Sequence, residues 1–265
     1  MKVAVCFHGN CGILYKNKSR YEILGDIDYR IGYEHWKKHI FDINNVDVFI
    51  HSWDTKYEDG LIDLYKPKKF KIEPQLKFGA KWTDSVGEIR KEFMMSRWYS
   101  AQKSIAFKKQ YELENNFVYD MVILSRTDWA WLTDIDFTIF EDRELFYSPH
   151  NDNFMKDNPR LDDWIFFSNS ENMDKFSKLY QDMYVSTGAI GDKTYQTNAH
   201  SDSYKHAKNC GLDIVMIEDF KDFRNYSEGV GTFVRALYEN CEYSKDYDFH
   251  KLKLLKNVRK SERFG

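Results

Sequence analysis

Arg126 and Asp128 stand two residues apart, directly after the apolar run Met121-Val122-Ile123-Leu124 and Ser125. A short continuous apolar run that ends abruptly in polar residues reads as a buried strand, here expected to be parallel, with charge at its carboxyl end. In open α/β sheets ligands bind in the crevice outside those ends. A guanidinium there can donate two parallel bonds to phosphate oxygens. A carboxylate there can ligate Mn²⁺ or Mg²⁺. The plainer reading of Arg126 and Asp128 is a local salt bridge at a sheet edge. Idle charge at a buried strand end is costly, which favours a functional role.

Other residues of suitable type follow other apolar runs. Val3–Phe7, Val46–Ile50 and Lys69–Ile72 read as strands. They are followed by His8-Gly9-Asn10-Cys11-Gly12, His51-Ser52-Trp53-Asp54 and the Pro74 region. If these strands run parallel, four strand ends share one rim. A nucleotide needs a cradle for its base, polar groups for ribose and positive charge for phosphate. Trp53, Asp54, Lys103 and Arg126 are of those types, and a glycine such as Gly9 lets backbone approach a ligand closely. Tyr99 and Lys103 are four apart, on one helix face. Asp162 and Asp163 precede the aromatic strand Trp164–Phe167. A carboxylate against an aromatic wall suits a general base, since partial burial raises its pKa; Asp163 is the preferred one of the pair.

Each has a plainer alternative. His8 and His51 would be core histidines, Trp53 a core side chain, and Asp54 a cap for the next segment. Tyr99 and Lys103 would be ordinary helix surface, Asp162 and Asp163 a solvated turn, and His200 a helix-start residue rather than an acceptor-site group.

The elements that must position these residues are legible as an alternation. At 265 residues the chain makes one large domain or two small ones and can bury a substantial core. Its 42% hydrophobic and 31% charged residues are those of a soluble globular protein. Aromatics reach 17%, enough to fill a core and also line a site. The net charge of −3 argues against a general nucleic-acid binder. The start, MKVAVCFHG, reads as a strand and not a signal peptide. No run of about 18 apolar residues suggests a spanning helix. Cys6, Cys11, Cys210 and Cys241 lack CxxC spacing, so structural zinc is not expected and reduced thiols in cytoplasm are.

Along the chain, 13–28 reads as an irregular loop over the site. Tyr33–Ile43 reads as a helix, with Trp36, Ile40 and Ile43 facing the core. Gly60–Tyr65 is a short helix and 75–88, with Gly79 and Gly87, a loop. Ile89–Asn115 is the longest helix, its core stripe Met94, Trp98, Ala101 and Ile105. Glu144–Tyr147 and Trp164–Phe167 read as strands around a polar loop at 148–163. Ser168 and Glu171 fit a capping box for a helix to Tyr184. After a loop at 185–200, a helix over Ser201–Cys210 ends at Gly211, and Leu212–Ile217 is another strand. The segment 218–249 has no clear period. The tail 250–265 is basic, with Leu252, Leu255 and Val258 interleaved; its plainer reading is a solvated or disordered end, its functional one weak attachment to an anionic membrane surface. The pattern predicts an α/β fold, a Rossmann-like mixed and mainly parallel sheet flanked by helices. Neither GxGxxG nor a Walker A lysine motif is present.

FHGNCG after the first strand, DVFIHSWD at 47–54, RWYSAQKSIAFKKQYELENNFVYD at 97–120, VILSRTDW and DDWIFFSNSENMDKFSKLY at 162–180 occur in this order. In these the chain resembles the GT-A-type glycosyltransferases of bacterial surface-polysaccharide clusters and large viruses, over roughly residues 1–217. The resemblance implies transfer of a sugar from a nucleotide-diphosphate sugar to a hydroxyl of a glycan or lipid-linked glycan. It implies a nucleotide-binding half at 1–132 and an acceptor-side half at 133–249. Many such enzymes carry D-x-D after the central strand to hold Mn²⁺ or Mg²⁺. This chain has Arg126-Thr127-Asp128, with one carboxylate, so the expected cation would rest on Asp128. A literal D-x-D at Asp134-Ile135-Asp136 competes, although its position suggests a turn. The alternatives are a sugar nucleotidyltransferase, disfavoured by the lack of a Gly-rich basic N-terminal loop, and a carbohydrate-binding module, which fits the α/β pattern badly.

Overall fold

The run Val3–Phe7 is buried on both faces because it lies inside a seven-stranded sheet. The computed structural model describes residues 1–10, 13–15, 23–26, 29–78, 88–149, 159–188, 199–217 and 233–235. Cys11, Gly12, Gly79, Gly87, Cys241, most of the polar loop at 148–163 and of 218–249, and the basic tail lie outside the described residues. In chain order the strands are β1 (Lys2–Gly9), β2 (Ile13–Tyr15), β3 (Ile23–Asp26), β4 (Asn45–Ser52), β5 (Lys69–Ile72) and β6 (Met121–Ser125). Then come β7 (Trp129–Trp131), β8 (Phe146–Pro149), β9 (Ile165–Ser168), β10 (Ile214–Ile217) and β11 (Phe233–Arg235). The helices are α1 (Tyr29–Trp36), α2 (Glu58–Tyr65), α3 (Glu88–Asn115), α4 (Ser170–Phe176), α5 (Leu179–Gly188) and α6 (Ala199–Asn209).

The large sheet has the order β10-β8-β9-β6-β1-β4-β5. β1 pairs in parallel with both β4 and β6, β4 with β5, and β8 with β10. β9 runs antiparallel to its neighbours β6 and β8. The protein is therefore mixed α/β with a mostly parallel sheet, as the alternation predicts, and strands from both halves of the chain contribute to it.

Strand side chains alternate between faces, and both faces are covered. Val3, Val5 and Phe7 meet Trp36, Ile40, Leu61 and Trp131 on one side. Ala4 and Cys6 meet Met94, Trp98, Ala101 and Ile105 of α3, with Met173 and Phe176, on the other. The expected core stripe of α3 is thus the one used. A polar stripe runs beside it: Ser100, Ser104 and Lys108 are all fully buried. Lys108 Nζ reaches Glu112 at 3.0 Å, Ser170 Oγ at 2.5 Å and Asp174 at 2.7 Å, and so fastens α3 to α4. α6 closes with the expected Gly211, Leu212 N donating to Ala207 O and Gly211 N to Lys208 O.

Several expectations are corrected. The segment 13–28 is not wholly irregular, since β2 and β3 pair as an antiparallel hairpin. α1 starts four residues before Tyr33 and passes at Lys37–Phe41 into a π-helical turn. Ile43 is 37% exposed, so the core stripe stops at Ile40. The helix expected to Tyr184 is two helices, α4 and α5. Its cap is Asn169, which accepts from Asn172 N, while Ser168 still belongs to β9. α5 and α6 extend into the expected loop at 185–200 from both ends. Among the described residues no helix is long and apolar enough to cross a membrane.

Candidate functional site

The registers bring the strand ends together. His8 pairs with His51 and Gly9 with Ser52; Phe7 pairs with Ser125; His51 pairs with Lys71. Because β9 is antiparallel to β6, Ser125 also lies opposite Ile165. The amino end of β9, with Asp162, Asp163 and Trp164, therefore reaches the same rim as the carboxyl ends of β1, β4 and β6.

The chain turns at Arg126–Asp128 and re-enters as β7, which pairs with β11. α1 packs closely over this turn. A Cβ on Gly32 would fall 2.1 Å from the Thr127 carbonyl oxygen, so only glycine allows this approach. The turn is set from below by the sheet and from above by Gly32.

Four charged groups meet beside this turn. Arg126 Nη2 donates to Asp128 Oδ2, and Arg97 Nη1, from α3, donates to Asp163 Oδ2. Burial works against the charged form of Arg97; Asp163 supports it, Arg126 opposes it and Asp128 supports it. His8 is held well below the usual imidazole pKa by burial, with Arg97, Arg126 and His51 pushing the same way. It is a neutral ring between cations. Asp162 and Asp163 are both buried rather than in a solvated turn. His200 Nδ1 stands 3.8 Å from an oxygen of each and donates to Leu161 O at 2.8 Å. His200 is thus a helix-start residue that also faces the acidic pair.

Ser100 joins this group to a second one. Its Oγ accepts from Gly9 N at 2.8 Å and lies 2.8 Å from His51 Nδ1. His51 Nε2 stands 3.0 Å from Glu73 Oε1. Burial lowers the His51 pKa, so the ring is neutral. With Nε2–H donating to Glu73, Nδ1 carries no proton, and the one Ser100 hydroxyl proton is shared between Nδ1 and His51 O, 3.0 Å away. Gly9 sits at φ +88°, which favours glycine.

Beyond His51 lies an aromatic wall. Trp53 and Tyr99 stack with centroids 5.7 Å apart, and Tyr180 meets Tyr99 edge-on at 5.2 Å. Lys103 Nζ lies 5.1 Å over the Tyr99 ring. Trp53 is buried in this wall, and Lys103 belongs with it rather than with the four-charge group. Asp54 is half-buried at the start of the turn Thr55–Tyr57, and its side chain makes no capping bond there.

The competing Asp134-Ile135-Asp136 is used structurally. Asp134 accepts from His39 Nδ1 at 2.6 Å, Ile135 is buried, and Asp136 caps the turn at Phe137–Ile139 through Thr138 N. Among the described residues no group of three His, Cys, Asp or Glu could hold a metal ion. Asp128 already accepts from Arg126. A cation at Asp128 would therefore not find three such protein ligands among the described residues.

Sequence reasoning passed over Arg97, Ser100, Gly32 and Glu73. The polar stripe of α3 carried a signal: Arg97, Ser100, Ser104 and Lys108 are spaced three, four and four, parallel to the core stripe. In comparisons with known proteins, no family model and no curated sequence matches the chain. The fold and rim define a mixed α/β protein with a mostly parallel seven-stranded sheet and a cluster of polar and charged residues at the carboxyl edge of its parallel strands.

Proposed function

We propose that the protein is a GT-A-type glycosyltransferase, moving a sugar from a nucleotide-diphosphate sugar to a hydroxyl of a glycan or lipid-linked glycan. The observation that carries this reading is the convergence of Arg126, Asp128 and Asp163 with the β1 and β4 ends on one rim, beside an aromatic wall. The Gly9 loop and the Trp53–Tyr99 wall would take the nucleoside, and Arg126 the diphosphate.

In an inverting step the acceptor hydroxyl forms its bond to the anomeric carbon as that carbon's bond to the diphosphate breaks. Asp163, or its neighbour Asp162, takes the hydroxyl proton, and the bonding pair leaves on the diphosphate. Arg126 steadies the charge that develops there. A divalent cation on Asp128 would supply further neutralisation of that charge. Cytoplasmic placement suits the use of nucleotide sugars, and weak membrane contact by the basic tail would bring the enzyme to lipid-linked acceptors.

The test is turnover with a panel of nucleotide sugars, with and without Mn²⁺, read as release of nucleoside diphosphate. Release from one donor, stimulated by a glycan acceptor, supports the reading. Release from none, with no donor raising thermal stability, overturns it.

A further inference from the structure

Arg97 spends only part of its hydrogen-bonding capacity on Asp163. A guanidinium has five N–H groups in a rigid fork. Nη1 donates to Asp163, while Nε and Nη2 are buried with no hydrogen-bond partner among the described residues. Buried donors without acceptors are rare and costly, and each calls for an explanation. The Nε–Nη2 edge is one of the faces of arginine that presents two parallel N–H bonds to one oxyanion. His8 Nδ1 is likewise buried without a partner. Both Arg97 and Arg126 act on the His8 ring, and Arg126 works against the charge of Arg97.

Each guanidinium already has one carboxylate, Asp163 for Arg97 and Asp128 for Arg126, yet Arg97 keeps two buried donors without an acceptor among the described residues, which a further anion reaching both arginines would satisfy. A group with one negative charge satisfies one of them; a diphosphate can span both. We propose that Arg97 and Arg126 form a two-guanidinium clamp for a diphosphate, with the Nε–Nη2 edge of Arg97 as its second half. The proposal rests on the donor reading above and assigns a binding residue to it. The Arg97 side chain keeps 15% of its surface exposed. Seating the anion turns the covered edge outward about the Nη1 contact with Asp163. One guanidinium then touches both the leaving diphosphate and the acceptor base, so Arg97 sets their spacing.

The experiment is calorimetric titration of inorganic pyrophosphate and inorganic phosphate into the full chain, its R97Q, R97K and R126Q variants and the double variant R97Q/R126Q. The same proteins are titrated with the tightest-binding nucleoside, without phosphates. The clamp predicts that pyrophosphate binds wild type more tightly than phosphate does. R97Q weakens pyrophosphate roughly ten- to hundredfold, the loss of a charge-assisted pair. R97K weakens it nearly as much, because lysine keeps the charge and lacks the fork. The double variant loses less than the sum of the singles, because both residues hold one ion. Nucleoside affinity is unchanged throughout, which also shows that the variants fold. Pyrophosphate affinity indifferent to R97Q, or fully restored in R97K, overturns the clamp and leaves the donor reading standing. No binding of pyrophosphate or of any nucleoside to wild type overturns both.

Discussion

The Gly9 amide donates to Ser100 Oγ across 2.8 Å, joining the end of β1 to the middle of α3. The same hydroxyl serves His51, at the end of β4. One side chain thus fixes two strand ends whose loops form the rim. Ser100→Ala leaves Gly9 N and His51 Nδ1 buried without that partner. The variant should lose about 1–3 kcal/mol of stability. It should also bind nucleoside diphosphate more weakly, because the Gly9 loop is no longer held. Urea unfolding and calorimetry check both. Unchanged midpoint and affinity would remove Ser100 from this role.

Gly32→Ala tests the close approach of α1 to the Arg126–Asp128 turn. In an unconstrained helix interior this change stabilises by about 0.5–1 kcal/mol. Here the new methyl would fall 2.1 Å from the Thr127 carbonyl, which is backbone and cannot step aside alone. The expected sign is therefore reversed, a loss of about 1–3 kcal/mol, together with weaker phosphate binding. A variant as stable as wild type would mean that the helix and turn are free to separate.

Asp163→Asn should lower kcat by ~10²–10⁴-fold, as expected for loss of a general base, and should also shift donor affinity, because it removes the carboxylate that holds Arg97. Asp162 is as buried as Asp163, so exposure does not rank the pair. Geometry does: both stand 3.8 Å from His200 Nδ1, but Asp163 also holds the Arg97 guanidinium, which the clamp above places against the diphosphate. Asp162→Asn should therefore cost much less. Turnover of the two variants with a competent acceptor decides, and the reverse ranking would move the role to Asp162.

Acid should destabilise the protein earlier than carboxylate protonation alone would. Burial holds His8, His35, His39, His51 and His206 below the ordinary histidine value of 6.5. The unfolded chain then binds more protons than the folded one, so stability rises with pH across that interval and is fully present above about 6.5. Lowering the pH from 7 towards 5 removes it, by up to about 1.4 kcal/mol per pH unit for each histidine. For Glu73, burial pushes upward, but hydrogen bonds from Lys71 and His51 outweigh it and hold the group below 4.5. Its contribution is lost only lower, as pH falls through the folded value. Urea midpoints at pH 7.5, 6.5 and 5.5 should fall in that order, with proton uptake on unfolding near pH 6. A midpoint flat or rising on acidification would contradict the neutral, buried histidines.

The sheet was legible because its strands carry continuous apolar runs, and α3 because its stripe recurs at helical spacing. The placement of β9 was not, since nothing local in Ile165–Ser168 says that it runs antiparallel to β6. Yet that reversal brings Asp163 to the rim. Arg126 and Asp128 were visible as charge after an apolar run. Arg97 was hidden because an arginine beside a core stripe looks like ordinary helix surface until its partner, 66 residues on, is placed. The helix expected over 168–184 erred by one residue at its cap, where Ser168 and Asn169 are both good capping types and pairing in β9 decides between them.

The most direct test of the account is where a nucleoside diphosphate binds. A crystal structure with the tightest-binding one, UDP or GDP, should place its diphosphate against Arg126 and its nucleoside between the Gly9 loop and the Trp53–Tyr99 wall. A nucleotide seated instead on α4 and α5, or against residues 250–265, would contradict the central claim.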